Sequence, residues 1–153
     1  MNEAYKALGY NKANYVPLTP LSFLHRTADI YGEREAIIYG DKRYNWRQCR
    51  ERCIRIASSL VKSGIGMGDT VAVLAFNTPE MFESHFAVPM TGAVLNTINT
   101  RLDADTVAYI LEFGNAKALI VDRELFPLAE KALSQIELKP VLILIDDETA
   151  EVK

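Results

Sequence analysis

Soft metal ligands are scarce: the 153 residues contain two cysteines and two histidines. A structural zinc needs four nitrogen or sulfur ligands. Cys49 and Cys53 stand four apart and share a helix face, but His25 and His85 are isolated from them. The pair therefore reads as buried free thiols, small hydrophobes in a reducing compartment. No apolar run near Met1 has the length of a signal peptide, and none elsewhere approaches the ~20 residues of a membrane span. The expected location is cytoplasmic. An excess of one charge is also missing. Seventeen Lys and Arg against 20 Asp and Glu leave a net charge of −3, which gives no electrostatic case for nucleic acid. The cluster Lys42, Arg43, Arg47, Arg50, Arg52 and Arg55 reads as the wet face of one helix, with Glu51 placed to pair with Arg55. Low-complexity disorder is excluded by an apolar fraction of 49%.

What is present is an alternation of buried strands and helices. Thr19-Pro20 reads as a cap and first helical position, followed by a stripe of Leu21, Leu24, Ala28 and Tyr31, with Gly32 as a left-handed stop. Ala36–Tyr39 and Arg43–Trp46 flank Gly40-Asp41 and read as a hairpin. A long helix then buries Trp46, Cys49, Cys53, Ile56, Ala57 and Leu60 on one face and stops near Ser63-Gly64. Strands follow at 70–76, 93–97, 117–121 and 141–145, and helices at 79–89, 103–113 and 124–135. The strands are continuous Val, Ile, Leu and Ala runs, as strands covered on both faces should be. The expected fold class is α/β: a mostly parallel sheet with helices on both faces, plus an N-terminal β-hairpin. The chain divides into a lead-in over 1–18, sprinkled with Tyr5, Leu8, Tyr10 and Tyr15, one α/β domain over 19–145, and a solvated acidic tail over 146–153.

Few constellations carry chemistry. Gly64-Ile65-Gly66-Met67-Gly68-Asp69 leaves a helix and enters a strand, the reverse of a phosphate-cradling loop, so it reads as a helix cap and tight turn. Asp103 and Asp105 suit a helix N-terminus, with Leu102 and Val107 placed as a staple. Pro89 should kink or end its helix. Asn96-Thr97-Ile98-Asn99-Thr100-Arg101 is the polar segment with the best placement. It follows a buried strand, and ligands bind outside the carboxyl ends of parallel strands. Its Asn96, Thr97, Asn99 and Arg101, with His85 on the preceding helix, are the candidate pocket or interface residues. A plain connecting turn and a satisfied core or boundary histidine are the competing readings. No catalytic or metal-binding residue is assigned.

The ordered set Tyr44-Asn45-Trp46, Gly64–Asp69, Val71–Leu74, Asn77–Glu80, Gly92-Ala93-Val94, Asn99–Leu102, Tyr109-Ile110-Leu111 and Ala116–Ile120 resembles the N-terminal region of the AMP-forming acyl-CoA synthetases. It is most similar to the medium- or long-chain fatty acyl members. Asn45 stands where that pattern usually has Thr, and Pro89 where it often has a small apolar residue. The resemblance implies a ligase of fatty acid metabolism. A carboxylate and ATP with Mg²⁺ give an acyl-adenylate, and CoA then takes the acyl group. It also implies that the phosphate loop, the nucleotide motifs and the catalytic lysine lie outside these 153 residues. The chain is then a truncated, inert scaffold segment without a cofactor of its own. Its partner is the remainder of the synthetase or a second copy of itself. A stand-alone interaction or small-molecule-binding module is the alternative.

Overall fold

The computed structural model describes Val16 and residues 18–147. Tyr5, Leu8, Tyr10 and Tyr15 of the lead-in and the tail beyond Asp147 lie outside the described residues. Helix α1 is Pro20–Ile30, opened by a capping box between Thr19 and Ser22. The hairpin is β1 (Glu35–Tyr39) and β2 (Lys42–Asn45). Helix α2 (Trp46–Lys62) begins directly after it. Then come β3 (Thr70–Leu74), α3 (Pro79–Met90), β4 (Val94–Thr97), α4 (Ala104–Phe113) and β5 (Ala116–Asp122). A single 3-10 turn, Arg123–Leu125, leads into α5 (Phe126–Leu133), and β6 is Val141–Ile145.

Strands β3 to β6 form one parallel sheet in the order β4-β3-β5-β6. Strand alternation sends Ala72, Leu74, Leu119 and Val121 to one face, where Val107 and Leu111 of α4 and Ala129 of α5 cover them. Val71, Val73, Ala118 and Ile120 point the other way, against Leu60 of α2 and Val88 of α3. Burying each Leu or Val of these layers contributes about 1.5–3 kcal/mol. A third, smaller core joins α1 and the hairpin to α2 and α3. It contains Leu24, Cys49, Cys53, Ala57 and Ala87, with Ile37 and Trp46 beside them. Both cysteines are fully buried and free. The Cys53 thiol is pushed up from its usual range, first by its hydrogen bond with Cys49 and then by burial.

Asn45 shows why its type is tolerated where a threonine was expected. Its Oδ1 accepts from Gln48 N at 2.8 Å, and Gln48 Oε1 accepts from Asn45 N at 2.9 Å. This reciprocal cap works with any short polar side chain. Replacing Asn45 by Ala should lower unfolding free energy by about 1 kcal/mol. Asn45→Thr should stay within a few tenths, since both types serve as N-caps. Urea unfolding of the two variants checks both.

Four expectations need correction. Gly32 is not left-handed, because the positive-φ glycines among the described residues are Gly40, Gly64, Gly68 and Gly92. Gly32 is required by space: a Cβ there would lie 2.6 Å from the Ala28 carbonyl oxygen. Strand β3 ends at Leu74 instead of residue 76, because its ladder partners on β4 and β5 stop at Val73 and Leu74. The helix expected from 124 starts as α5 at Phe126, since Pro127 lacks an N–H and fits only a first turn. The arginines of α2 are not simply a wet face. Arg47 pairs with Glu33 and Arg50 with Asp29, while Arg52 turns inward between α2 and α3. Gly64 and Gly68 do cap and turn the chain, Asp103 does cap α4, and Pro89 falls in the last turn of α3.

Candidate functional site

The carboxyl end of the sheet is where a parallel fold presents loops to a ligand. Strand β3 leaves through Ala75, Phe76 and Asn77 to Thr78, whose hydroxyl accepts from Met81 N at 3.4 Å and caps α3. Strand β4 leaves through Ile98, whose N–H donates to the Val73 carbonyl at 2.9 Å. Asn99 then folds the loop on itself. Its Oδ1 accepts from Arg101 N at 3.0 Å and its carbonyl accepts from Leu102 N at 3.3 Å. That is an Asx turn satisfying its own backbone. The Arg101 side chain is exposed.

The structure separates the candidate residues. Asn96 is in register with Ala72 and Thr97 with Val73. Neighbours across a ladder share a face and successive residues alternate. Asn96 therefore lies on the α4–α5 side. An added Cβ on Gly114, at the end of α4, would lie 3.2 Å from Asn96 Nδ2. Thr97 lies on the α2–α3 side. His85 is exposed, and its Nδ1 sits 2.9 Å from the Met81 carbonyl, an arrangement that puts a proton on Nδ1. It borders an open, mostly apolar cleft of about 470 Å³ with Asn77, Thr78, Met81, Phe82 and Phe86. None of the β4-loop residues lines that cleft. The five residues do not converge on one point.

Two polar clusters were not foreseen. In the first, Arg52 donates from Nε and Nη2 to both oxygens of Glu83 and from Nη2 to Glu80 at 3.0 Å. Its guanidinium also lies 4.4 Å above the Tyr44 ring. The Glu83 side chain is fully buried. Burial raises its carboxyl above the usual range, outweighing the downward pull of Arg52. The Arg52 guanidinium is raised chiefly by the same hydrogen bond. A signal existed, since Glu83 stands midway between Pro79 and Ala87 on a buried stripe.

In the second, Asp147 is buried. It accepts from Tyr39 Oη at 2.6 Å and from Lys42 Nζ at 3.5 Å, tying the hairpin to the end of β6. Asp146 pairs with Arg123 at 2.6 Å. The start of the acidic tail is therefore anchored rather than solvated. A cavity of about 220 Å³ lies beside this cluster, between the sheet and α2–α3. Its floor is Ile56, Leu60, Ile120, Ile143 and Ile145, and its rim includes Glu80 and Asp146.

At the other end of the sheet, Asp69 accepts from Lys117 Nζ at 3.0 Å and from Gly66 N at 2.8 Å. Lys117 and then the Gly66 N–H hold its carboxyl below the usual range. The glycine turn is thus spent on its own aspartate.

The sequence profile of the AMP-binding enzymes matches residues 24–153. The chain belongs to the AMP-binding enzyme family. Among similar curated proteins is a peroxisomal acetate/butyrate–CoA ligase of Arabidopsis thaliana. It is 48% identical over 144 residues, which are 90% of this chain and 25% of that protein. An acetate–CoA ligase of Humulus lupulus is 45% identical over 150 residues, 94% of this chain and 26% of that protein. The chain thus spans about a quarter of the length of these relatives. An anthranilate CoA ligase solved with anthranoyl-AMP superposes with a TM-score of 0.80 at 26% identity, covering 88% of this chain and 27% of that one. A fatty acyl CoA synthetase of Mycobacterium tuberculosis gives 0.72 at 28% identity, covering 82% and 26%.

Membership accounts for the sheet and its order. No helix among the described residues of this AMP-binding family chain is long and apolar enough to cross a membrane. Several of its relatives are peroxisomal by name, so they lend no support to the cytoplasm over another compartment.

Proposed function

We propose that this chain is the N-terminal scaffold segment of an ATP-dependent acyl-CoA ligase. The observation that carries the reading is the family match over residues 24–153, together with relatives of four times the matched length. The reaction joins a carboxylate to the α-phosphate of ATP, releasing pyrophosphate, and then transfers the acyl group to the CoA thiol, releasing AMP. The residues in hand do not fit the nucleotide and its metal. Among the described residues no three His, Cys, Asp or Glu side chains come together as ligands. The glycine turn stands at the amino end of β3, with the Gly66 N–H donating to Asp69 and those of Gly64 and Gly68 to the Val61 and Gly92 carbonyls. No step is therefore routed through this chain's own side chains, and the isolated chain is inert. Its contribution is the sheet, the anchored hairpin, and one apolar wall at the cavity lined by Leu60 and Ile143.

The substrate class that the relatives favour is a short-chain carboxylate, since acetate and butyrate ligases stand at 45–49% identity. The compartment is a reducing one, cytoplasm or peroxisomal matrix, which suits two free buried thiols.

The test is a graft. Residues 19–145 replace their counterpart in the Arabidopsis acetate/butyrate–CoA ligase, and acetyl- and butyryl-CoA formation is followed. The grafted enzyme should retain activity, whereas the 153-residue chain alone with ATP, Mg²⁺, butyrate and CoA should release no pyrophosphate above the blank. Release by the chain alone, or a folded but inactive graft, would overturn the reading.

A further inference from the structure

Two nucleophilic side chains take no part in the ligase reading. Cys49 and Cys53 are both wholly buried and free. They stand four apart on α2, so their side chains leave the same helix face. The two thiols are hydrogen-bonded to one another. Cys53 Sγ also lies 3.7 Å from the Glu83 carbonyl oxygen. Leu24 of α1 and Ala87 of α3 pack in the same small core, and the thioether residue Met90 borders it. The elements that enclose the sulfurs all lie between Pro20 and Met90, so this core is closed by the chain itself.

Helix geometry decides what the pair can hold. Cβ atoms four apart on a helix stand about 5–6 Å apart, whereas a disulfide needs about 3.5–4.5 Å. Joining the two sulfurs directly would therefore distort α2. A linear sulfur–metal–sulfur bridge asks for more room, since two bonds of roughly 2.3 Å laid end to end separate the sulfurs by about 4.6 Å. Among the described residues no three His, Cys, Asp or Glu side chains come together as ligands. A four-ligand zinc does not fit, and the ion must be content with two. Thiolates select soft metals. Charge then sets the valence. The surroundings are apolar, the nearby Glu83 is already matched by Arg52, and an unmatched charge left in such a core is costly. A monovalent ion with two thiolates leaves one negative charge behind, whereas a divalent ion leaves none.

We propose that Cys49 and Cys53 form a two-coordinate site for a soft divalent metal ion, of the chemical character of mercury(II), held as a neutral dithiolate between α1, α2 and α3. On binding, each S–H bond breaks, two metal–sulfur bonds form and two protons leave to solvent. No electron is transferred. The ion enters by local opening of α1, which belongs to the smallest of the three cores. The site goes beyond the ligase reading and does not depend on it, because it uses no acyl or nucleotide chemistry.

The probe is mercury(II) chloride added to the reduced, folded 153-residue chain. One ion per chain should survive gel filtration at the monomer's elution volume, with the native mass raised by one mercury less two hydrogens. A weakly buffered titration should release two protons per ion. A ligand that binds the folded state alone raises its stability, so one equivalent should raise the thermal midpoint and leave the circular dichroism of the helices unchanged. Cys49→Ala and Cys53→Ala, each checked for folding, should give the ion up to excess glutathione at least a hundredfold more readily than the parent, since one thiolate cannot chelate. The parent readouts stand whether or not those variants fold. Two ions per chain, a mercury-bridged dimer, a lowered thermal midpoint, or a parent that yields its ion to glutathione as easily as a folded single variant would each overturn the proposal.

Discussion

Replacing Arg52 by Met should destabilise the chain by about 3–5 kcal/mol, the range for removing one partner of a buried ion pair. The side chain of Glu83 is fully buried, and Arg52 supplies hydrogen bonds to both its oxygens. Without Arg52 the carboxylate keeps its desolvation cost and loses its donors. The reverse variant, Glu83→Met, should cost less. Arg52 is partly exposed and still holds Glu80 at 3.0 Å and the Tyr44 ring at 4.4 Å. The double variant Arg52→Met with Glu83→Met should cost less than Arg52→Met alone, because well-packed apolar side chains replace the pair at little net loss.

The pH dependence follows from the raised carboxyl of Glu83, which burial lifts against the opposing pull of Arg52. A group whose folded value lies above its unfolded one contributes stability below the unfolded value and loses it as pH rises through the folded value. Removing Arg52 takes away the downward pull and widens that window. The gap between parent and Arg52→Met should therefore narrow on acidification toward the ordinary glutamate range and widen toward neutrality. Denaturant unfolding of the four proteins at two pH values would measure this. A gap independent of pH, or a double variant as unstable as the sum of the singles, would show that Glu83 does not depend on Arg52.

This pair also marks where sequence reading stops. The order of strands and helices was legible because buried parallel strands read as unbroken apolar runs and helix starts carry side-chain caps, as at Thr19 and Asp103. The ends were less legible. Ala75 and Phe76 continue the apolar run of β3, yet a strand needs a ladder partner, and none extends that far. The candidate residues are dispersed for a geometric reason. Asn96 and Thr97 are neighbours in the chain and so belong to opposite faces of the sheet, and His85 is carried by another element. Arg52 looked solvated because Arg47 and Arg55 on the same helix are, and only the packing of α2 on α3 shows that Arg52 turns inward. The anchoring of Asp147 was invisible from sequence, because its partners Tyr39 and Lys42 lie more than a hundred residues away.

Asp147→Ala should cost about 2–3 kcal/mol, near the upper part of the range for hydrogen bonds to a charged group. The carboxylate is buried, accepts from Tyr39 Oη at 2.6 Å, and faces Lys42 Nζ at 3.5 Å. Removing it strips the Tyr39 hydroxyl of an acceptor and leaves the hairpin joined to the body by the small core around Ile37 and Trp46. Tyr39→Phe should cost about half as much in the parent and close to nothing once Asp147 is gone, since the two changes break the same bond. Hydrogen exchange gives an independent reading. Amides of β1 and β2 should lose protection in Asp147→Ala while those of β3 and β5 keep theirs, because the hairpin is a separate two-stranded sheet. A two-stranded hairpin is marginal alone, so its order must come from what it touches. If Tyr39→Phe costs as much without Asp147 as with it, the hairpin is held by α1 and α2 alone, and the bond across the chain ends only accompanies a geometry fixed elsewhere.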